Sequence, residues 1–222
     1  MIRSARAKGE PGSAEALAGL CEAYWYPLYV FVRRMGRDPE DARDLTQGYF
    51  LRLMEKDYLD DVREEAGKFR SFLLASLKHY MANVRRDAAA IKRGGGQQVM
   101  SLDLDTAEDR YRLEPIDDQT PDRAYERRWA MAVIERAQAR LRDEFEAAGK
   151  SRHYALLGAH LSGAGRPYVE IAEELETSEA AVKMSVSRIR RQFGKTLRDE
   201  IADTIDDPGE IDAEVKYLLR IV

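Results

Sequence analysis

A chain of 222 residues, 44% hydrophobic and 34% charged, suits small helical units with narrow cores rather than one thick core. A net charge of −4 excludes a protein that coats nucleic acid indiscriminately, and no stretch approaches the roughly 18–20 apolar residues of a membrane span. The opening "MIRSARAKGEPGSAEA" lacks a signal-peptide core, and the lone Cys21 reads as a buried thiol in a reducing compartment, so a cytoplasmic protein is expected.

Residues 13–35 start with Ser13 as a helix cap and run on with apolar residues too dense for a surface helix; Pro27 inside them predicts a kink or a break. In "GRDPEDARDLTQGYFLRLMEK", Asp38 caps, Pro39 takes the first helical position, and Glu40 and Asp41 suit the positive end of the helix dipole. Ala42, Leu45, Tyr49 and Leu53, with Phe50, form its apolar stripe at spacings of three and four. A polar connector leads to a third helix, "FRSFLLASLKHYMANVRRDAAAIKR", which the glycines 94–96 stop.

Residues 97–122 have no sustained helical period, two prolines and many acids, and are expected to form an extended linker. A long helix then resumes with Ala124, Trp129, Val133, Ala137 and Leu141 on one face. No strand-like alternation and no repeat occurs. The expected fold class is all-α: two small helical bundles joined by a flexible acidic linker, divided as 1–93, 94–122, 123–205 and a C-terminal extension, 206–222.

Charge is segregated along this plan. Residues 63–93 carry eight Lys/Arg against three acids, and 183–198 carry six against none. Residues 101–126 carry nine acids against three bases, and 199–214 carry eight acids and no base. Such a layout binds a polyanion in chosen places and repels it elsewhere.

The second basic island sits in "YVEIAEELETSEAAVKMSVSRIRRQF", two helices joined by a short turn. The first buries Val169 or Ile171 with Ala172 and Leu175; Ser178 can cap the second, whose Val182, Val186, Ile189, Phe193 and Leu197 make a buried stripe. Lys183, Ser187, Arg190 and Arg191 point away from it, with Arg188 on a flank. A solvated helix face would also look basic. The absence of acids, the capped turn and the second basic helix favour a helix-turn-helix laid on DNA.

In the first island, Phe69, Phe72, His79 and Tyr80 are interleaved with Lys68, Arg70, Lys78, Arg85 and Arg86. Phe72 has the spacing of a core residue. Aromatics beside cations also suit single strands, since a stacked base contributes about 1–3 kcal/mol while Lys and Arg track the backbone. Tethering two such weak contacts strengthens both.

In order, "DPEDARDLTQGYFLRLMEK", "FRSFLLASLKHYMANVRRD", an acidic linker and "EIAEELETSEAAVKMSVSRIRRQF" resemble the two domains of bacterial sigma factors of the extracytoplasmic-function type, over roughly residues 13–200. The resemblance implies that Asp41, Asp44, Leu45, Gln47 and Phe50 dock on core RNA polymerase. It implies that Lys68 to Arg86 melt and read the −10 element. At the −35 element it implies that Glu179, Ala180, Lys183, Met184 and Ser187, beside the capping Ser178, face bases, and that Arg188 and Arg191 face phosphates. The chain departs from the family pattern at Gly48 (usually Glu), His79 (often Asn), Glu176 (often Gly) and Ala180-Ala181 (often Gly-Thr).

The implied function is promoter-specific initiation of transcription, with core RNA polymerase and promoter DNA as partners and no cofactor or metal. An anti-sigma factor, a regulatory kinase acting at a site such as Thr46, or the tail itself are candidate regulators. The tail "EIDAEVKYLLRIV" reads as an amphipathic helix that either packs on the second domain or covers a basic surface. The alternative function is a dimeric helix-turn-helix regulator that works without polymerase. Catalysis by Asp41, Asp44, His153 or His160 is not expected: the carboxylates start a helix, and the histidines have no ligand-type neighbours at the right spacing.

Overall fold

The computed structural model describes residues 13–55, 68–88, 106–114, 119–205 and 207–222, without the side chains of 13–18, 20–22, 54–55 and 86–88. Among the described residues the regular elements are all helical, as expected, and there is no strand. The chain divides into two compact units, Met1–Ala132 with Ala202–Val222, and Val133–Ile201. The C-terminal extension therefore belongs with the first unit rather than packing back on the second.

Helix α1 (Ser13–Arg34) runs through Pro27 without a break, which removes the break from the two expected alternatives of a kink or a break. Pro27 costs one backbone hydrogen bond, but the residues around it are deeply packed: Tyr24, Leu28, Tyr29, Phe31 and Val32 are at most 1% exposed. Apolar residues fill more than one face of α1 because α2 (Pro39–Glu55), α3 (Phe69–Ala88) and α4 (Ala107–Arg112) all pack on it. Asp38 caps α2 as read, accepting the Asp41 N–H at 2.9 Å. Ala42, Tyr49, Phe50 and Leu53 are its buried stripe.

Helix α4 lies in the segment expected to be an extended linker. It docks through Glu108, which takes Arg33 Nε at 2.9 Å and the Tyr29 hydroxyl at 2.8 Å, while Arg110 lies 4.0 Å over the Tyr26 ring. Burial and the bond to Glu108 push the Tyr29 phenol up to about 12. Burial works against the Glu108 charge, but the donors Arg33 and Tyr29 leave its carboxyl below the ordinary value. The six-residue helix is held by these tertiary contacts, since one turn and a half cannot persist by propensity. The glycine stop at 94–96 and Cys21's side chain lie outside the described residues.

Helix α5 (Pro121–Ala147) gives its first turns to this unit, and Trp129 Nε1 donates to the Tyr24 hydroxyl at 3.2 Å. The chain returns at its end through α9 (Ile211–Ile221), after α8 (Glu179–Ala202) has stopped short of "DDPG". Val215 and Leu218 of α9 are buried, worth about 1.5–3 kcal/mol each, while Leu219 and Val222 stay exposed.

The second unit packs the rest of α5, α6 (Ser151–Leu157), a 3-10 turn (Gly158–Leu161), α7 (Tyr168–Glu174) and α8. Its core is Leu141, Leu157, Ile171, Ala172, Val182, Val186 and Ile189. His160 is a core residue here: its ring lies 5.1 Å from Tyr168, and a Cβ on Gly165 would collide with it. Burial, then the nearby Arg190 charge, holds its imidazole below the ordinary value.

Candidate nucleic-acid interface

Helices α7 and α8 are joined by the turn 175–178, and its hydrogen bonds follow a Schellman pattern. Thr177 N–H donates to the Ala172 carbonyl at 2.9 Å and Glu176 N–H to the Glu173 carbonyl at 3.2 Å. This closure needs a left-handed residue, and Glu176 supplies it at φ +52°, where the resembled family often has Gly. Ser178 then caps α8, its hydroxyl oxygen accepting the Ala181 N–H at 3.2 Å, as the sequence led us to expect.

The predicted stripe is buried at Val182, Val186, Ile189 and Leu197, with Phe193 half-buried. The opposite face exposes Ser178, Glu179, Ala180, Lys183, Met184, Ser187, Arg188 and Arg191 together. Met184, at 66% exposure, is an apolar side chain left in water. Among the described residues, Lys183, Arg188 and Arg191 have no ion-pair partner. Arg190 differs: its guanidinium reaches the His160 carbonyl at 3.2 Å. Three uncompensated cations on one face of a capped helix can neutralise phosphates.

The first island is arranged otherwise. Phe69, whose pattern suited a core residue and a base-stacking ring alike, is 3% exposed and sits edge-on to Tyr24 at 5.4 Å. Phe72 is half-buried and stacks on Phe69. Arg70, read as a backbone contact, is 5% exposed. Its Nε lies 2.7 Å from Glu214 and its Nη1 2.9 Å from Glu126. Lys68 pairs with the same Glu214 at 2.6 Å, and Lys78 pairs with Asp122. His79 and Arg85 are exposed; the Arg86 side chain lies outside the described residues. Helix 3 thus begins with its cations already neutralised, and reaches open charge only further along.

Glu214 itself is 1% exposed. Burial opposes its ionisation, yet the hydrogen bonds from Arg70 and Lys68 bring its carboxyl below the ordinary value. Nothing in the sequence marked Glu214, Tyr217, Asp122 or Glu126 as partners of α3. One signal was available: Glu214 shares the stripe of Ile211, Val215 and Leu218, so a carboxylate rides on an apolar face.

On α2, Asp41 and Asp44 are exposed, Leu45 and Gln47 half-buried. Phe50, expected at the polymerase surface, is 1% exposed and packs edge-on against Tyr49 at 5.4 Å. Thr46 is fully buried and donates its hydroxyl to the Ala42 carbonyl at 2.7 Å, so it is not presented to a kinase. Gly48 lies where the Tyr80 hydroxyl of α3 approaches; any Cβ there would strike it. Among the described residues no group of three or more His, Cys, Asp or Glu could hold a metal ion, and no helix is long and apolar enough to cross a membrane.

An all-α protein, over its described residues, with a basic helix in each of its two units is the class these features define. Residues 20–91, which span most of α1 and all of α2 and α3, match the family model of Sigma-70 region 2. The match makes this part of the chain similar to a region of sigma-70 factors and supports a role in promoter recognition by RNA polymerase. No curated protein and no solved structure matches the chain.

Proposed function

We propose that the chain is a sigma factor of the extracytoplasmic-function type, acting in the cytoplasm, which binds core RNA polymerase and directs promoter-specific initiation. The observation that carries this reading is the Sigma-70 region 2 match over residues 20–91. The exposed Asp41 and Asp44 of α2, with the half-buried Leu45 and Gln47, form the polymerase contact, and Phe50 supports them from the core. Helices α7 and α8 act as a helix-turn-helix in which Ser178, Glu179, Ala180, Lys183, Met184 and Ser187 meet the edges of the −35 element while Arg188 and Arg191 grip phosphates. Helix α3 serves the −10 element through Lys68, Phe72, Lys78, His79, Arg85 and Arg86, with Arg70 joining when its carboxylate partners leave. Flipping a base costs a few kcal/mol. Capturing the base and neutralising the strand offset that cost.

The direct test is co-purification with core polymerase, followed by run-off transcription on a pool of genomic fragments. Specific start sites that depend on the added chain are expected. Binding to palindromic duplexes as a dimer, with no polymerase contact, would instead identify a free-standing regulator.

A further inference from the structure

We propose that α9 is a built-in latch, which occupies the start of α3 and withholds Lys68 and Arg70 from nucleic acid until it is displaced. This rests on the promoter-binding reading of α3 given above. The chemistry of the seat supports it. Glu214 puts one carboxylate oxygen 2.7 Å from Arg70 Nε and the other 2.6 Å from Lys68 Nζ. A carboxylate offers a guanidinium the same paired oxygens that a phosphate does, so a cation engaged this way cannot neutralise a strand at the same time.

One turn further along, Tyr217 lies over the same cations. The Arg70 guanidinium is 4.6 Å from its ring centre and 4.7 Å from that of Trp129, and Lys68 Nζ is 5.5 Å above Tyr217. Glu214 and Tyr217 together present an anion and a planar ring, the two groups by which a nucleotide binds cationic and aromatic surfaces. The tail thus copies the ligand it excludes.

The contact is also built to exchange. Apart from Glu214, only Val215 and Leu218 of α9 are buried, while Leu219 and Val222 remain 61% and 55% exposed. An exposed turn at Pro208–Glu210 precedes the helix. A phosphate arriving at Arg70 and Lys68 replaces the carboxylate they lose, so the cations are not left unpaired when α9 is displaced.

The test uses the full chain, the Glu214→Gln variant and a chain ending at residue 206, each titrated with a fluorescein-labelled A/T-rich DNA single strand of about 20 nucleotides. Both altered chains should bind at least about fivefold tighter. The slope of log affinity against log salt should steepen by about 0.7 for the freed Lys68, and by up to about 1.4 where the strand also draws Arg70 from Glu126, since each recovered phosphate contact adds about 0.7 on a single strand. A synthetic peptide of residues 207–222 should restore weak binding to the shortened chain, and the same peptide with Glu214→Gln should not. Independently of any variant, adding the strand to the full chain should speed amide exchange across 211–221. Equal affinity and slope in the full chain and Glu214→Gln, unchanged exchange with the strand bound, or no binding by any form overturns the latch. Run-off transcription in parallel separates the two levels. A chain that initiates specifically yet shows no difference between forms loses only the latch; one that never engages polymerase in any form loses the sigma reading as well.

Discussion

The Tyr80 hydroxyl occupies the space that a side chain on Gly48 would need. Tyr80 is half-buried, its ring 6.0 Å from Tyr49, and burial raises its phenol above the ordinary value. The glycine in α2 is thereby explained by a neighbour in α3 rather than by backbone freedom.

A double-mutant cycle tests that relationship. Gly48→Ala should destabilise the chain by about 1–3 kcal/mol through overpacking, although alanine is the better helix former. In a Tyr80→Phe background the hydroxyl is gone, and the same change should become neutral or stabilising by up to about 1 kcal/mol. Urea unfolding of the four proteins reads the cycle. Equal effects of Gly48→Ala in both backgrounds would show that the hydroxyl is not the obstacle.

Glu176 holds a left-handed conformation at φ +52°. A side chain there costs about 1–2 kcal/mol, and glycine gives part of this back in entropy lost on folding. Glu176→Gly should therefore stabilise the second unit by about 0.5–1 kcal/mol, measured by thermal or urea unfolding. Glu176→Val should destabilise it.

Cations on the open face of α8 should separate into two kinds. Arg188→Ala and Arg191→Ala are expected to weaken promoter binding for every sequence alike, each lowering the salt slope by about 0.9. Lys183→Ala should leave that slope nearly intact while losing about 1–3 kcal/mol of discrimination at one base pair. Fluorescence anisotropy on matched and mismatched promoters at several salt concentrations distinguishes them. A change of promoter choice without a change of slope in the arginine variants would refute their phosphate role.

The seat of α9 should depend on pH through Glu214. Its carboxyl titrates below the ordinary value in the folded chain because Arg70 and Lys68 hold the charged form against burial. The docked state therefore binds fewer protons than the open one at acid pH. Its stabilisation is complete above the unfolded value of about 4.3 and is lost as pH falls through the lower folded value. Amide exchange across 211–221 should accelerate in that window, relative to α1, and Glu214→Gln should remove this acid dependence.

What the sequence determined by itself was local. The stripe of Val182, Val186 and Ile189, the Asp38 and Ser178 caps, and the open cations of α8 all follow from helical period and from groups within three or four residues of each other. Tertiary structure decided what depends on distant partners. Arg70 meets a carboxylate 144 residues away, so a basic residue at the head of a helix became a buried one. Phe69 was settled into the core, Pro27 was carried inside an unbroken α1, and an acidic segment formed α4 because Glu108 found Arg33 and Tyr29. Periodicity shows which residues share a face. Which face is covered, and by what, is settled only when distant segments compete to bury apolar surface and pair charge in one folded chain.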